Sequence, residues 1–147
     1  MKEHWKTYCV ENSLQMEIEK KLKELNIILP SAPDPVGSYV ASKIVGKLLY
    51  ISGQISIDSN GKLIKGKLGK DLNVENGYNA ASRCALSIIS QAKKCLSNDF
   101  SKIKSCIKLT GFVNSTEDFT DQPKVINGAS DMIVKILEIQ VCIQELQ

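Results

Sequence analysis

Histidine, aromatic residues and long apolar runs are scarce in this sequence of 147 residues. His4 is the only histidine, which excludes Ser-His-Asp catalysis, Cys-His catalysis and a histidine-rich metal site within this chain. No segment approaches the roughly 18 apolar residues of a membrane-spanning helix, and the N-terminal residues lack the apolar core of a secretory signal. The sequence therefore predicts a cytoplasmic protein without a membrane partner, whose chemistry uses groups other than histidine.

The five cysteines are spaced in a way that excludes most cysteine-based sites. They stand singly, without a C-x-x-C spacing, and their odd number argues against a disulfide framework and a structural zinc site. We interpret them as reduced thiols, and Cys84 and Cys106 as core thiols rather than redox centres. The sequence predicts neither a cofactor nor a bound metal.

Net charge and chain length indicate the kind of binding partner and the number of domains. The net charge of +3 comes from lysines that are scattered among acidic residues. Because no aromatic residues interleave with the basic ones, we do not predict a nucleic-acid partner. With 43% hydrophobic residues in 147, the chain is long enough for one globular domain with its own core.

Apolar residues recur every three or four positions in three segments, which predicts three amphipathic helices. The longest has Asn73 as its N-cap, with Asn76 three residues further on. Pro123 suits the first turn of the last one. The predicted helices are Met16–Asn26, a long segment from Val74 to Leu96, and a segment from Pro123 to Leu137.

Alternating and continuous apolar segments predict strands between these helices. Tyr39–Val45 and Leu48–Ile51 are expected to form an antiparallel hairpin through a Gly46-Lys47 turn. Leu63-Ile64 is predicted to flank it as a short strand, and Ile103–Val113 to contain a further strand. The order, one helix and then β-β-(β)-α-β-α, predicts an α+β fold. A strand after the last helix would complete a β-α-β pairing, but the pattern does not predict one.

The end of the second predicted strand is a candidate site. Apolar residues fill Leu48–Ile51, and Ser52, Gly53 and Gln54 then offer a hydroxyl, a bare backbone and an amide. A glycine within a strand often marks a place where another group approaches the backbone closely.

Five short motifs follow one another in order through most of the chain. They are Ala32-Pro33-x-Pro35-x-Gly37-x-Tyr39, Leu49-x-x-Ser52-Gly53-Gln54, Gly66-x-x-Gly69, Lys108-x-x-Gly111-Phe112-Val113-Asn114 and Asp118-Phe119-Thr120-x-Gln122-Pro123-x-Val125-x-Asn127-Gly128-Ala129-Ser130. Together they resemble the RidA family, also called YjgF or L-PSP, and within it the subgroup with a longer N-terminal helix.

The resemblance implies a chorismate-mutase-like fold and a homotrimer with clefts between its subunits. It also implies an activity, the hydrolysis of reactive enamines or imines from pyridoxal-phosphate enzymes to 2-oxo acids and ammonia. In the family, an arginine beyond the last helix holds the substrate carboxylate, and a glutamate near the chain end helps position the attacking water.

Four residues of this chain correspond to the family's substrate-binding positions. The resemblance implies that Tyr39 lines the cleft, that Ser52 and Gly53 lie beside the substrate, and that Asn127 faces it from the last helix. Structural interpretations stay open for two of them. Tyr39 could be a half-buried strand aromatic, and Asn127-Gly128 could allow the helix to pack tightly against the sheet.

The sequence departs from the family pattern after the last helix. The family continues there with two strands that supply the arginine and the glutamate, whereas Arg83, the only arginine here, lies on the long helix. We therefore expect residues 1–15 to be an N-terminal extension, 16–137 the RidA-like domain, and 138–147 a tail outside the family. Codons for Ile136 to Gln147, read one base earlier, can spell Phe-Gly-Asn-Thr-Ser-Met-His-Ser-Arg-Ile-Ala. We hypothesise a truncating frameshift, which resequencing the gene would test.

Without its last strands, the sheet would keep unpaired edge groups, unless Ile139, Ile143 and Leu146 extend the last helix over the exposed face. The leading interpretation is thus an enamine and imine deaminase of marginal stability and little activity. The alternative is a non-catalytic protein of the same fold that binds a small metabolite or another protein. The endoribonuclease activity attached to the family name is disfavoured, because a catalytic histidine and a basic aromatic surface are lacking.

Overall fold

Helices and strands alternate in the computed structural model, which describes residues 18–32, 37–138 and the backbone of 141–145. The expected N-terminal extension, residues 1–15, lies outside the described residues. The mixture of elements confirms the predicted α+β class. In chain order they are α1 (residues 18–24), β1 (Ser42–Val45), β2 (Leu48–Ile51), α2 (Val74–Cys95), a 3₁₀ turn (Phe100–Lys102), β3 (Cys106–Gly111), α3 (Gln122–Leu137) and β4 (Val141–Glu145).

The predicted hairpin is confirmed, with β1 and β2 antiparallel and Val45 opposite Leu48. Gly46 in the turn has φ 59°, a value that favours glycine. The first strand begins at Ser42, three residues later than the sequence predicts. The last backbone bond of this pairing runs from the Ser52 N–H to the Ala41 carbonyl oxygen, and the Val40 carbonyl oxygen before it accepts the Ser52 hydroxyl instead. The predicted strand at Leu63-Ile64 is reduced to an isolated bridge between Ile57 and Leu63.

The two long helices form where the sequence predicts them. Asn73 caps α2 through its side chain, which accepts a hydrogen bond from the Asn76 N–H at 2.8 Å, and the Asn76 side chain bonds the Asn73 N–H in return. Pro123 lies in the first turn of α3. Their buried faces meet α1 and β3 in one core, whose fully buried side chains include Phe100, Ile89 and Ile136.

A strand follows the last helix, contrary to the prediction from the sequence. Helix α3 ends at Leu137, and Glu138 adopts the left-handed conformation with φ 53° and bonds Lys21 on α1. The backbone of Val141–Glu145 then pairs in parallel with β3, so that β3, α3 and β4 form a β-α-β unit. The predicted helical extension is therefore wrong at Ile143, while Ile139 and Leu146 lie outside the described residues. A short apolar run fits both the period of a helix and that of a strand, and here the pairing with β3 makes the segment a strand.

Candidate functional site

Ser52 joins the end of β2 to the segment before β1. Its hydroxyl donates to the Val40 carbonyl oxygen at 2.6 Å, and its N–H donates to the Ala41 carbonyl oxygen at 2.9 Å. Gln54 reaches back, with its amide nitrogen 3.0 Å from the Ser52 carbonyl oxygen. These bonds hold Ser52 beside the residue that follows Tyr39, so three of the four predicted site residues, Tyr39, Ser52 and Gly53, lie at one end of the hairpin.

Gly53 stands in open space. No atom lies within 4 Å of the position that a Cβ would occupy there, and its φ is outside the left-handed region. Its N–H meets no acceptor among the described residues. No neighbour in the described chain therefore requires glycine at this position, and its bare backbone is accessible to a group from outside.

Tyr39 lies on the surface next to Ser52. It precedes β1 and has 55% of its surface exposed, so it is half-buried, as the structural interpretation has it, but it does not lie in a strand. Its ring lies over Gly37, where a Cβ would be 3.4 Å away. The phenol is thus available to a ligand or to a second protein chain.

The hairpin carries an exposed apolar surface beside these residues, which we call the apolar hairpin face. Three of the four side chains on one face of the two strands are large, apolar and exposed: Val45, Leu48 and Tyr50. Val40 and Ile55, beyond the strands at the open end of the hairpin, are exposed as well, and the exposed fractions of the five run from 42% to 61%. Neighbouring exposed apolar side chains of this kind make the apolar hairpin face a candidate interaction surface.

Asn127 lies elsewhere, on the exposed side of α3. No hydrogen bond in the described part of the chain links it to Ser52 or Gly53. The neighbouring Gly128 does serve close packing, as the structural interpretation expects, but against α2 rather than the sheet. A Cβ there would lie 2.8 Å from the carbonyl carbon of Tyr78.

Arg83 also lies away from the hairpin site. Its Nε donates to the Ile57 carbonyl oxygen at 2.9 Å, which ties α2 to the loop over residues 57–64. The side chain lines a groove of about 510 Å³ between α2, α3 and that loop. Sequence reasoning did not predict this groove. A signal for it exists in the spacing of Asn79, Arg83 and Leu86, which places them on one face of α2.

Cys84 is part-buried, and burial raises the pKa of its thiol. Cys106 is part-buried as well and packs against the core, as its interpretation as a core thiol expects. In the ranges 18–32 and 37–138, no three histidine, cysteine or acidic side chains gather as metal ligands would. No helix among the described residues is long and apolar enough to cross a membrane.

The sequence of this chain is similar to one protein family and to a known protein. Residues 19–141 match the model of a family described as "YjgF/chorismate mutase-like, putative endoribonuclease". Protein TCP17 of Trypanosoma cruzi is 39% identical over 124 residues, which cover 84% of this chain and 77% of that protein. The match agrees with the resemblance that the five motifs carry.

Two crystal structures share the fold. Atu1372 from Agrobacterium tumefaciens, a protein of unknown function, is 38% identical with a TM-score of 0.81, over 95% of this chain and 85% of that chain. A protein from Shewanella oneidensis MR-1, described as a "putative endoribonuclease", is 32% identical with a TM-score of 0.81, over 87% of this chain and 85% of that chain. These matches confirm the predicted chorismate-mutase-like fold class.

Proposed function

The chain belongs to the YjgF/chorismate mutase-like family, and on that premise we propose that it acts on small enamines and imines as a RidA-type deaminase. The observation that carries this proposal is the open, glycine-bare backbone at Gly53, beside Ser52 and Tyr39. Nothing in the described chain accounts for the glycine, whereas a substrate that packs on the backbone would require it.

The reaction needs only water as a second reactant. The oxygen of water bonds to the imine carbon while the imine nitrogen takes up a proton. The C–N bond of the resulting carbinolamine then breaks, ammonia leaves, and a 2-oxo acid remains. Gly53 would donate its N–H to the substrate carboxylate, and Tyr39 would cover the apolar part of the substrate.

The chain has only a weak binding group for the substrate carboxylate, and this lowers the rate of hydrolysis that we propose. A guanidinium group binds a carboxylate through two parallel hydrogen bonds, but Arg83, the only arginine in the sequence, is bound to Ile57 on another part of the molecule. A single N–H from Gly53 replaces it only in part. We therefore propose slow hydrolysis, as the departure from the family pattern also suggests.

A homotrimer would complete the site. We propose that the apolar hairpin face packs against a second copy of the chain, so that Ser52 and Gly53 line a cleft between subunits. The burial of Val45, Leu48 and Tyr50 would supply the driving force for association. The reduced thiols fit a cytoplasmic location for this chemistry.

The test is a direct measurement of imine decay with the full chain. 2-Iminobutanoate is formed in situ from 2-aminobutanoate by an amino acid oxidase, and its decay is followed by stopped-flow absorbance. We expect decay faster than the spontaneous rate, and expect Gly53→Val to abolish the acceleration because the side chain fills the open space. An unchanged free energy of unfolding in Gly53→Ala serves as the folding control. Decay at the spontaneous rate with the unmodified chain would refute the proposal.

A second candidate function is binding without hydrolysis, and the position of Arg83 favours it. A cleft that lacks the guanidinium can still hold a small 2-oxo acid through backbone donors. Calorimetric titration with 2-oxobutanoate distinguishes the two. Binding that Gly53→Val abolishes, without any acceleration of imine decay, would support this alternative.

Endoribonuclease activity, which the description of the Shewanella relative suggests, is the least favoured function. The only histidine is His4, so the chain has no histidine pair for cleavage, and its lysines are scattered among acidic residues without interleaved aromatic ones. RNA cleavage that co-purifies with the chain through successive chromatography columns would support this function.

A further inference from the structure

The groove between α2 and α3 has the features of a second small-molecule site. Its volume of about 510 Å³ lies in the range of ligand pockets. The two helices touch at Tyr78 and Gly128, and the groove continues from there along both helices in the same direction. The lining combines polar and apolar side chains: Tyr78, Asn79, Ser82, Arg83 and Leu86 from α2, Asp131, Met132 and Lys135 from α3, and Asp58, Ser59 and Ile64 from the loop.

Four of these side chains carry charge, two of each sign. Arg83 and Lys135 are cations, and Asp58 and Asp131 are carboxylates. Among the described residues, none of the four forms an ion pair with another. The groove therefore presents separate positive and negative groups to whatever occupies it, and it has no net charge of its own.

Hydrogen bonds hold three of these four charged groups in position: Arg83, Asp58 and Asp131. Tyr78 donates its hydroxyl to Asp131 Oδ2 at 2.9 Å, which links the two helices, and this bond raises the pKa of Tyr78. Arg83 is held through Nε by the Ile57 carbonyl oxygen, and its two terminal nitrogens meet no acceptor in the described chain. The two terminal nitrogens of Arg83 are thus held in a fixed orientation and remain free to donate to a ligand. Because the side chain is already ordered, it loses less conformational entropy when a ligand binds.

Each of the two carboxylates uses one oxygen in hydrogen bonds within the described chain. Asp58 Oδ1 accepts hydrogen bonds from the backbone N–H groups of Asn60 and Lys62, so this side chain organises the turn. Asp131 keeps Oδ1 free on the α3 side of the groove, one turn of helix before Lys135. The apolar side chains of Ile64, Leu86 and Met132 line the same groove.

We propose that this groove binds a small zwitterion of the α-amino acid class with an apolar side chain. Its carboxylate would accept two hydrogen bonds from Arg83, and its ammonium group would donate to Asp131. Its side chain would lie over Leu86 and Met132. The groove is separate from the hairpin site, so the proposal stands independently of the imine chemistry.

Three ligands with the same isobutyl group test the proposal with the full chain in calorimetric titrations. L-Leucine carries both charges, 4-methylpentanoate only the carboxylate, and 3-methylbutylamine only the ammonium group. We expect leucine to bind about tenfold or more tightly than either analogue, since each loses one charged hydrogen-bonded contact. Equal affinity of the three, or no binding of leucine at millimolar concentration, would overturn the proposal.

Two variants test whether Arg83 and Asp131 contact the ligand. Arg83→Lys keeps the charge but loses the fork, and should weaken leucine binding about tenfold or more. Asp131→Asn still accepts the Tyr78 hydroxyl, and should weaken leucine while leaving 4-methylpentanoate unchanged or tighter. Lys124→Met, on an exposed part of α3 outside the groove, is the control and should bind leucine normally. Leucine affinity retained in both Arg83→Lys and Asp131→Asn would place the ligand elsewhere.

Discussion

Gly128 of α3 lies directly against the backbone of Tyr78 on α2, where a methyl group would overlap the tyrosine carbonyl. Nearby, the buried Ser82 hydroxyl lies 2.8 Å from the Gly128 carbonyl oxygen and 3.0 Å from that of Tyr78. This contact sets how closely the two long helices approach. It therefore determines the core below them and the groove that opens beside them.

Replacing Gly128 with alanine should destabilise the protein. Alanine favours a helix by about 1 kcal/mol over glycine, so propensity alone predicts a gain. The added methyl group, however, would force the helices apart, and overpacking of this kind costs about 1–3 kcal/mol. We expect a net loss in the free energy of unfolding, measured by urea denaturation.

Asn127→Ala is the matched control for that variant, because the side chain next to Gly128 is exposed. Its free energy of unfolding should stay within about 0.5 kcal/mol of the unmodified chain. An unfolding free energy of Gly128→Ala equal to that of the control would show that the helices can separate without loss.

The cap of α2 gives a second prediction. Asn73→Ala removes the acceptor for the Asn76 N–H and should lower the free energy of unfolding by about 1 kcal/mol. Asn73→Asp keeps an acceptor oxygen in the same place and should retain most of the stability. Denaturant midpoints of the two variants, measured side by side, check this. Equal losses in both would show that the cap bond contributes little.

The thiol of Cys84 gives a third prediction. Burial raises its pKa above the ordinary value of 9.0, so the unfolded chain loses this proton at a lower pH than the folded chain. Its contribution to stability is therefore complete below about pH 9 and declines as the pH rises through the folded pKa.

Two measurements check the thiol prediction. Alkylation of Cys84 by iodoacetamide, followed by peptide mass spectrometry, should be slower in the folded chain than in urea. Between pH 8 and pH 10, the unmodified chain should lose more stability than Cys84→Ser, which has no group that titrates there. Identical pH profiles would contradict the assigned burial.

A fourth prediction concerns the apolar hairpin face. Leu48→Lys places a charge in the middle of this face and should dissociate the proposed trimer into monomers, since an unpaired lysine is costly to bury. Light scattering after size-exclusion chromatography measures the mass. Val134→Lys changes an exposed apolar residue on α3 and should leave the trimer intact. A trimer that survives Leu48→Lys would place the subunit interface elsewhere.

Local patterns predicted the elements that depend on near neighbours. The cap at Asn73, the turn at Gly46 and the 3.6-residue periods of α2 and α3 all act within a few residues of sequence, and the structure has each of them. The sequence pattern does not predict strand β4, because that strand depends on residues that are distant in the sequence. Its pairing with β3 joins residues more than 30 positions apart, and its short apolar run also fits a helix.

The α+β order, the two long helices and the family motifs around Ser52 and Gly53 can be read from the amino-acid sequence alone, because periodicity and turn chemistry are local properties. Which surfaces these elements share depends on the tertiary structure. It placed open space beside Gly53, set Gly128 against Tyr78, and brought Arg83 and Asp131 to one groove. Such contacts depend on how separate helices and strands pack, and packing involves residues that no short window of sequence contains together.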